Sequence, residues 1–238
     1  MGYLFCGVCA FAGSILQTVT GFGLAILVMA LLPLSLPFST SLAISSLLGA
    51  GHSVIALFSG GGRYSLSTVL PPTAAYFTVS TLAARFLSRQ PEGAALRFLG
   101  AFLILLSLYF LFGQRRLTLR PSVPAGLLAG AASGITGGLF SVTGPPLVVY
   151  YLAAAKDSRE YLANIRLTFL LTGFYTLGLR IWHGALTPEV GRLGAAGLLA
   201  MALGVLAGNR LLDRIDPETL KKAVYATMLL SGAIYLLQ

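Results

Sequence analysis

An apolar run from residue 123 to residue 155 is interrupted by the stretch SGITGGLFSVTGPP at residues 133–146. Its glycines and paired prolines disfavour helix, and its small residues leave backbone amides uncovered. Hydrocarbon offers no hydrogen bonds, so non-helical backbone at membrane depth must be buried in protein or line a wet cavity. The stretch therefore predicts a protected break inside a membrane element. A weaker copy, QTVTGFG at residues 17–23, predicts a second break.

The composition places the chain in a membrane. Hydrophobic residues make up 56% and charged residues only 10% of the 238 residues, whereas soluble domains carry about 25% charged residues. A membrane span needs about 20 apolar residues. Apolar elements lie at residues 3–33, 39–58, 66–87, 96–112, 123–155, 161–182, 188–212 and 217–237. The sequence predicts an all-α polytopic membrane protein.

Two homologous halves are expected, because similar segments recur in the same order. Thr20-Gly21 parallels Thr136-Gly137, and the loop at residues 87–92 parallels the loop at residues 212–218. Internal repeats of this kind are common in secondary transporters, often with inverted topology. Each half is predicted to hold one broken or re-entrant helix and about three further spans. The predicted boundaries are 1–114 for the first repeat, 115–122 for a basic linker and 123–238 for the second repeat.

The net charge of +9 is better explained by membrane orientation than by nucleic-acid binding, because the basic residues fall between apolar runs. If the elements at residues 3–33 and 123–155 each cross the membrane once, its two sides hold ten and six Lys and Arg residues. If both elements re-enter, the two sides hold eleven and five. Both arrangements place the two termini on the side of the membrane with fewer Lys and Arg residues. The first positive side chain is Arg63, so a cleaved signal peptide is not expected. We expect a multi-pass protein of the bacterial inner membrane with both termini periplasmic.

The two breaks are predicted to face each other and form an anion site. A broken helix exposes N–H groups at the start of its second half, and these groups and the helix dipole favour negative charge. Glycine lets a ligand approach the backbone, and hydroxyl groups add donors. Close helix packing through small residues is the structural alternative. The candidate donors are Gln17, Thr18, Thr20, Gly21, Gly23, Ser133, Thr136, Gly137, Gly138, Ser141, Thr143 and Gly144.

Polar residues within spans give further candidates. His52 lies deep in the second element, where it either donates to an anion or carries a proton, or else is a neutral side chain bonded to a helix carbonyl. Arg166, near Asn164 in the sixth element, either reaches the substrate or snorkels to the membrane surface. Arg180 lies at a span end and is expected to contact lipid headgroups.

Carboxylate and metal chemistry find little support in the sequence. All seven acidic residues fall in or beside predicted loops, so no carboxylate is placed to relay protons or bind Na⁺ in mid-span. The two histidines and two cysteines lack metal-ligand spacing. We expect no metal site, no cofactor and no enzymatic activity.

A glycine-rich break near the start of each half, followed by apolar residues and proline, resembles the TauE/SafE-type permeases, the sulfite exporter family. The second half shows the pattern as Gly134-Ile135-Thr136-Gly137-Gly138 with Pro145-Pro146 after it. In the first half, Thr20-Gly21-Phe22-Gly23 has a phenylalanine where glycine is usual, and the next proline is Pro33. The resemblance covers nearly the whole chain and implies transport of small sulfur anions such as sulfite or organosulfonates.

The expected function is an alternating-access permease that holds its anion near the membrane midplane. A passive anion channel is the first alternative, because it would use the same neutral donors around an open pore. An intramembrane hydrolase is the second, but His52 and Ser53 are adjacent and would point apart on a helix, and no G-x-S-x-G elbow is present. The expected partners are the anion and the lipid bilayer, with a homodimer left open and nucleic acid excluded.

Overall fold

The computed structural model describes residues 2–58, 63–113, 120–211 and 217–238. These residues form helices and no strand, as predicted. The helices are α1 (Gly2–Thr20), α2 (Leu24–Leu31), α3 (Phe38–Phe58), α4 (Leu66–Leu87), α5 (Glu92–Leu108), α6 (Val123–Phe140), α7 (Gly144–Ala154), α8 (Ser158–Trp182), α9 (Pro188–Leu211) and α10 (Pro217–Leu237). A short 3₁₀ turn follows α2 and a π-helical turn follows α5.

Seven of the described helices are long and apolar enough to cross a membrane: α1, α3, α5 with its π turn, α6, α8, α9 and residues 219–237 of α10. Many large apolar side chains point away from the protein interior, among them Leu4, Leu128, Leu199 and Leu237. Apolar surface on this scale needs lipid rather than water around it. The prediction of an all-α polytopic membrane protein is confirmed.

The chain turns back on itself at both predicted breaks. A Cβ on Gly13 would lie 3.3 Å from the Leu24 backbone, although eleven residues of straight helix would separate them by about 16 Å. A Cβ on Gly126 would lie 2.9 Å from the Tyr150 hydroxyl, where a straight helix would leave about 36 Å. Each element is therefore a hairpin of one span-length helix and a short return helix, rather than a broken helix that continues across.

The chain forms two compact units. Unit 1 contains residues 1–48, 90–116 and 184–238, and unit 2 contains residues 49–89 and 117–183. Each unit draws on both predicted repeats: α1 of the first half packs on α9 of the second, and α6 of the second half packs on α4 of the first. The predicted linker at 115–122 and the loop match at 212–218 lie largely outside the described residues, and the repeat boundaries remain a prediction.

Small residues bring the helices of unit 1 close together. A Cβ on Gly204 of α9 would lie 2.5 Å from the Phe11 carbonyl oxygen on α1, and one on Gly208 would lie 2.9 Å from the Thr18 Cβ. Gly100 of α5 and Gly232 of α10 lie against each other's carbonyl oxygens. The Tyr235 hydroxyl of α10 donates to the Ala30 carbonyl of α2 over 2.7 Å. This last bond ties the short return helix to a spanning one.

In unit 2 the glycines of α6 form the closest helix contact. A Cβ on Gly130 would lie 2.6 Å from the Pro72 Cα, and one on Gly138 would lie 2.5 Å from the Ser80 carbonyl oxygen. Lipid tails are as apolar as leucine, so close van der Waals packing of this kind is what holds membrane helices together. The contact orders the glycine-rich end of α6 against α4.

Gly130→Ala is expected to destabilise the protein by about 1–3 kcal/mol, since the new methyl group overlaps the Pro72 backbone. Gly178→Ala is the matched control, because a Cβ there on α8 meets nothing within 4 Å and alanine favours helix. Thermal unfolding of the purified protein in detergent measures both. Equal unfolding temperatures for the two variants would show that the α4–α6 contact is not as tight as described.

Candidate functional site

The first break, in unit 1, is a three-residue turn closed by two side chains. Gly21 and Gly23 have φ angles of 85° and 126°, which glycine adopts without steric cost. The Thr20 hydroxyl donates to the Phe22 carbonyl over 2.6 Å, and the Gln17 Oε1 accepts from the Leu24 N–H over 3.0 Å. Gln17 and Thr20 thus satisfy backbone groups of the turn itself.

A small cleft adjoins this first break. It is lined by Thr20, Phe22, Gly23, Phe110, Lys221 and Tyr225, with Leu16, Ile26, Val224 and Met228 completing its walls. The Phe22, Phe110 and Tyr225 rings stack in series, with centroids 5.4 Å and 5.1 Å apart. Thr18 is turned away from the cleft, since its hydroxyl donates to the Ser14 carbonyl and its Cβ packs near Gly208.

The second break, in unit 2, begins later than the glycine motif. Helix α6 runs without interruption through Gly134, Gly137 and Gly138 to Phe140. The non-helical residues are Ser141, Val142 and Thr143. The helix passes through the glycines because α4 packs directly on them. This packing is a tertiary contact, and the local sequence does not encode it.

The two breaks use the same backbone solution. Each long helix ends on a left-handed residue, Gly21 at φ 85° and Ser141 at φ 60°. The N–H of each bonds to the carbonyl four residues before it. In each break a threonine hydroxyl also donates to the carbonyl of the residue that follows the left-handed one. These bonds join Thr20 to Phe22, and Thr136 to Val142 over 2.5 Å. By these features Gly21 corresponds to Ser141, whereas the sequence motif aligns Gly21 with Gly137, four residues earlier.

The glycine motif gathers a cluster of polar groups in unit 2. At Gly137 the missing side chain leaves room for the Tyr76 hydroxyl of α4. That hydroxyl lies 2.6 Å from the Thr176 Oγ1 of α8 and within hydrogen-bonding reach of Thr143. The Gly138 carbonyl accepts a hydrogen bond from the Arg180 guanidinium. Three helices and the second break therefore meet around one tyrosine hydroxyl.

Arg180 is a residue that the sequence placed wrongly. Only 6% of its surface is exposed, so it does not contact lipid headgroups. Its side chain turns inward from the last turn of α8, and its Nε–H has no partner among the described residues. A signal was present in the sequence: polar residues recur every four positions along α8. This buried stripe comprises Asn164, Thr168, Thr172, Thr176 and Arg180.

Asn164 begins this stripe. It is fully buried, and its Oδ1 accepts from the Ser65 N–H over 2.8 Å, while its Nδ2 has no partner among the described residues. Ser133 of α6 likewise has a buried Oγ without a partner there. Arg166 lies off the stripe and is half-buried. The structure thus separates Asn164 from Arg166, which the sequence had grouped.

His52 lies in the part of α3 that belongs to unit 2, and it is 6% exposed. Its Nε2 is buried and forms no hydrogen bond within the described residues, although the side chain has another interaction. Neighbouring Ala50 and Ser53 pack on Gly173 of α8. Because the first break lies in unit 1 and the second in unit 2, the prediction that the breaks face each other stays a prediction.

Comparison with known proteins identifies the family. Residues 5–235 match the family model described as Sulfite exporter TauE/SafE. The chain belongs to the TauE/SafE sulfite exporter family. It is 26% identical over 232 residues to a protein of Cupriavidus necator named "Probable sulfite/organosulfonate exporter TauE", and the alignment covers 95% of this chain and 90% of that relative. No solved structure matches the chain.

Membership of the TauE/SafE family makes the chain a membrane transporter rather than an enzyme. The predicted resemblance is therefore confirmed. The described residues contain no group of three or more histidine, cysteine or acidic side chains close enough to hold a metal ion.

Gly23→Ala is expected to destabilise this TauE/SafE protein by about 3 kcal/mol, because φ near 126° is open only to glycine and the methyl group would overlap Leu16. Gly21→Ala is the matched control. Its φ of 85° lies in the left-handed region, where alanine loses about 1 kcal/mol of stability relative to glycine. A Cβ there meets nothing within 4 Å. Thermal unfolding in detergent compares them, and a smaller loss for Gly23→Ala than for Gly21→Ala contradicts the turn geometry.

Proposed function

We propose that this TauE/SafE transporter moves small sulfur oxyanions, such as sulfite or organosulfonates, by alternating access. Family membership over residues 5–235 is the observation that carries the proposal. The relative in Cupriavidus necator, which is named as a sulfite/organosulfonate exporter, supplies the substrate class. The residues of the breaks agree with that class, since their donors are hydroxyl and amide groups and no acidic residue of the sequence lies in mid-span.

Within this proposal, the residues at the breaks donate to the anion and a second set positions them. The donors are Gly23, Ser141, Thr143 and Gly144, which lie at the two turns and at the start of the return helix α7. Gly21 shapes the first turn instead, since its N–H bonds to the Gln17 carbonyl. Pro145 and Pro146 have no N–H, so the amides that α7 can offer begin at Gly144 and resume at Leu147. Positioning falls to Gln17, Thr20 and Thr136, which bond to the turn carbonyls and amides.

The remaining candidates have distinct parts in the proposal. Thr18, Gly137 and Gly138 allow close helix contacts that hold the breaks in place. Ser133 and Asn164 have buried donor groups without a partner among the described residues, and these suit an anion that enters α8's polar stripe. Arg166 is half-buried in the first half of α8, where its positive charge attracts anions to the path.

We propose that the membrane is the bacterial inner membrane and that both termini lie in the periplasm. The hairpin form of α1–α2 and α6–α7 favours the arrangement with eleven Lys and Arg residues on one side and five on the other. The positive-inside rule assigns the richer side to the cytoplasm.

Purified protein in liposomes is expected to take up sulfite or sulfoacetate with saturation, and to show counterflow when preloaded with unlabelled anion. Saturation and counterflow follow because a carrier exposes one site alternately to each side, while an open pore shows neither trait at low substrate. Uptake of labelled anion is measured against protein-free liposomes and against the chloride salt. Linear, non-exchanging flux would favour the channel, and the absence of any flux of sulfur anions would contradict the proposed substrate.

His52→Ala is expected to retain saturable uptake but to lose the pH dependence that a proton-carrying histidine would give to uptake. The reason is that His52 is a buried ionisable side chain within a span, whereas the acidic residues lie in or beside loops. His183→Ala is the matched control, since the only other histidine is exposed at the end of α8. An unchanged pH profile in His52→Ala would exclude His52 as the proton carrier.

A further inference from the structure

We propose that Arg180 of α8, together with the Tyr76 hydroxyl of α4 and Thr143 of the second break, forms a charge-assisted binding site for the sulfonate or sulfite group. The inference rests on the proposed function and names the residues that recognise its substrate. Its first support is burial. The Arg180 side chain is 6% exposed, and its Nε–H has no partner among the described residues.

No negative charge balances Arg180 in the described part of the chain. Its interactions there are a hydrogen bond to the Gly138 carbonyl and an electrostatic interaction with the Tyr76 hydroxyl. Arginine stays protonated in proteins and presents five N–H donors. A buried guanidinium with one bonded carbonyl and no carboxylate is costly. A bound anion would supply the missing charge and acceptors.

Capping of α6 is the simpler explanation, and it accounts for part of the geometry. Gly138 lies within the last four residues of α6, where carbonyls lack helical partners and the helix dipole favours a cation. The cap uses one terminal N–H group and leaves the Nε–H without a partner. Carboxylates and sulfonates accept paired N–H groups from the guanidinium fork. The cap therefore orients the fork and leaves part of it for a ligand.

Tyr76 supplies a second donor that a ligand can capture. The Thr176 hydroxyl donates to the Thr172 carbonyl over 2.8 Å, so its oxygen accepts from Tyr76 across the 2.6 Å contact. This bond joins two neutral groups. A hydrogen bond to an anion is roughly twice as strong, so an oxyanion beside Arg180 would attract the Tyr76 proton away from Thr176. Gly137 is required because any side chain there would displace the Tyr76 hydroxyl.

Access to the site lies at the second break. Thr143 and Gly144 are half-buried, whereas Tyr76, Thr176 and Arg180 are buried. Thr143 lies within hydrogen-bonding reach of Tyr76. An anion that arrives at the break would meet the Thr143 hydroxyl and the Gly144 amide first, and then the guanidinium. One positive charge with neutral donors binds a sulfur oxyanion without the excess charge that would prevent release.

The test measures sulfite and sulfoacetate affinity in purified Arg180→Met and Arg180→Lys. Arg180→Met is expected to weaken both by at least about tenfold, because it removes charge-assisted hydrogen bonds. Arg180→Lys is expected to lie between Arg180→Met and the parent protein, since lysine keeps the charge but lacks the fork. The matched control is Arg85→Met, which removes an exposed arginine from the last turn of α4 in the same unit.

A role in capping alone predicts lower unfolding temperatures with unchanged affinity. Folded Arg180→Met that binds both anions as tightly as the parent protein overturns the inference. If Arg180→Met does not fold, Tyr76→Phe decides: a loss of about tenfold supports the site, and unchanged affinity overturns it. Tyr175→Phe is its control, since Tyr175 also bonds a threonine hydroxyl in unit 2, at 2.6 Å from Thr81. A parent protein that binds neither anion contradicts the proposed function instead.

Discussion

The backbone at the two chain reversals is the constraint on which the rest of this structure depends. A helix that ends within a membrane leaves carbonyls and amides that neither lipid nor water satisfies. The chain meets this need locally, with a left-handed residue that closes the long helix and a threonine hydroxyl that bonds to the next free carbonyl. Only after these groups are paired can a short helix fold back along a spanning one.

Close helix packing then gathers polar groups beside the second reversal. The α6 glycines remove side chains where α4 crosses, so that backbone meets backbone and the Tyr76 hydroxyl fits against Gly137. The same approach brings the Gly138 carbonyl to Arg180. Packing and ligand chemistry are usually weighed as alternatives for a small-residue motif. In unit 2 the packing also produces the polar geometry around Tyr76, so close packing and the proposed ligand binding are compatible.

The sequence predicted the helices well because their limits are set by local chemistry. Apolar run lengths, prolines and glycines placed α3, α4, α8, α9 and α10 within a few residues of their observed ends. The position of the second break was less accessible. Glycine in SGITGG disfavours helix by roughly 1 kcal/mol per residue, and the contact with α4 that outweighs this penalty is invisible in the local sequence.

Arg180 shows that the local sequence is equally limited in placing the residues of the candidate site. Its position three residues before the start of a polar loop suggests an interface residue, because sequence distance from a span end does not tell which way the side chain points. Four-residue periodicity does carry that information, since residues at i and i+4 share a helix face. Asn164, Thr168, Thr172 and Thr176 precede Arg180 at that spacing, and all are buried. Arg180 lies one turn after the buried Thr176, so it shares that residue's protein-facing side of the helix.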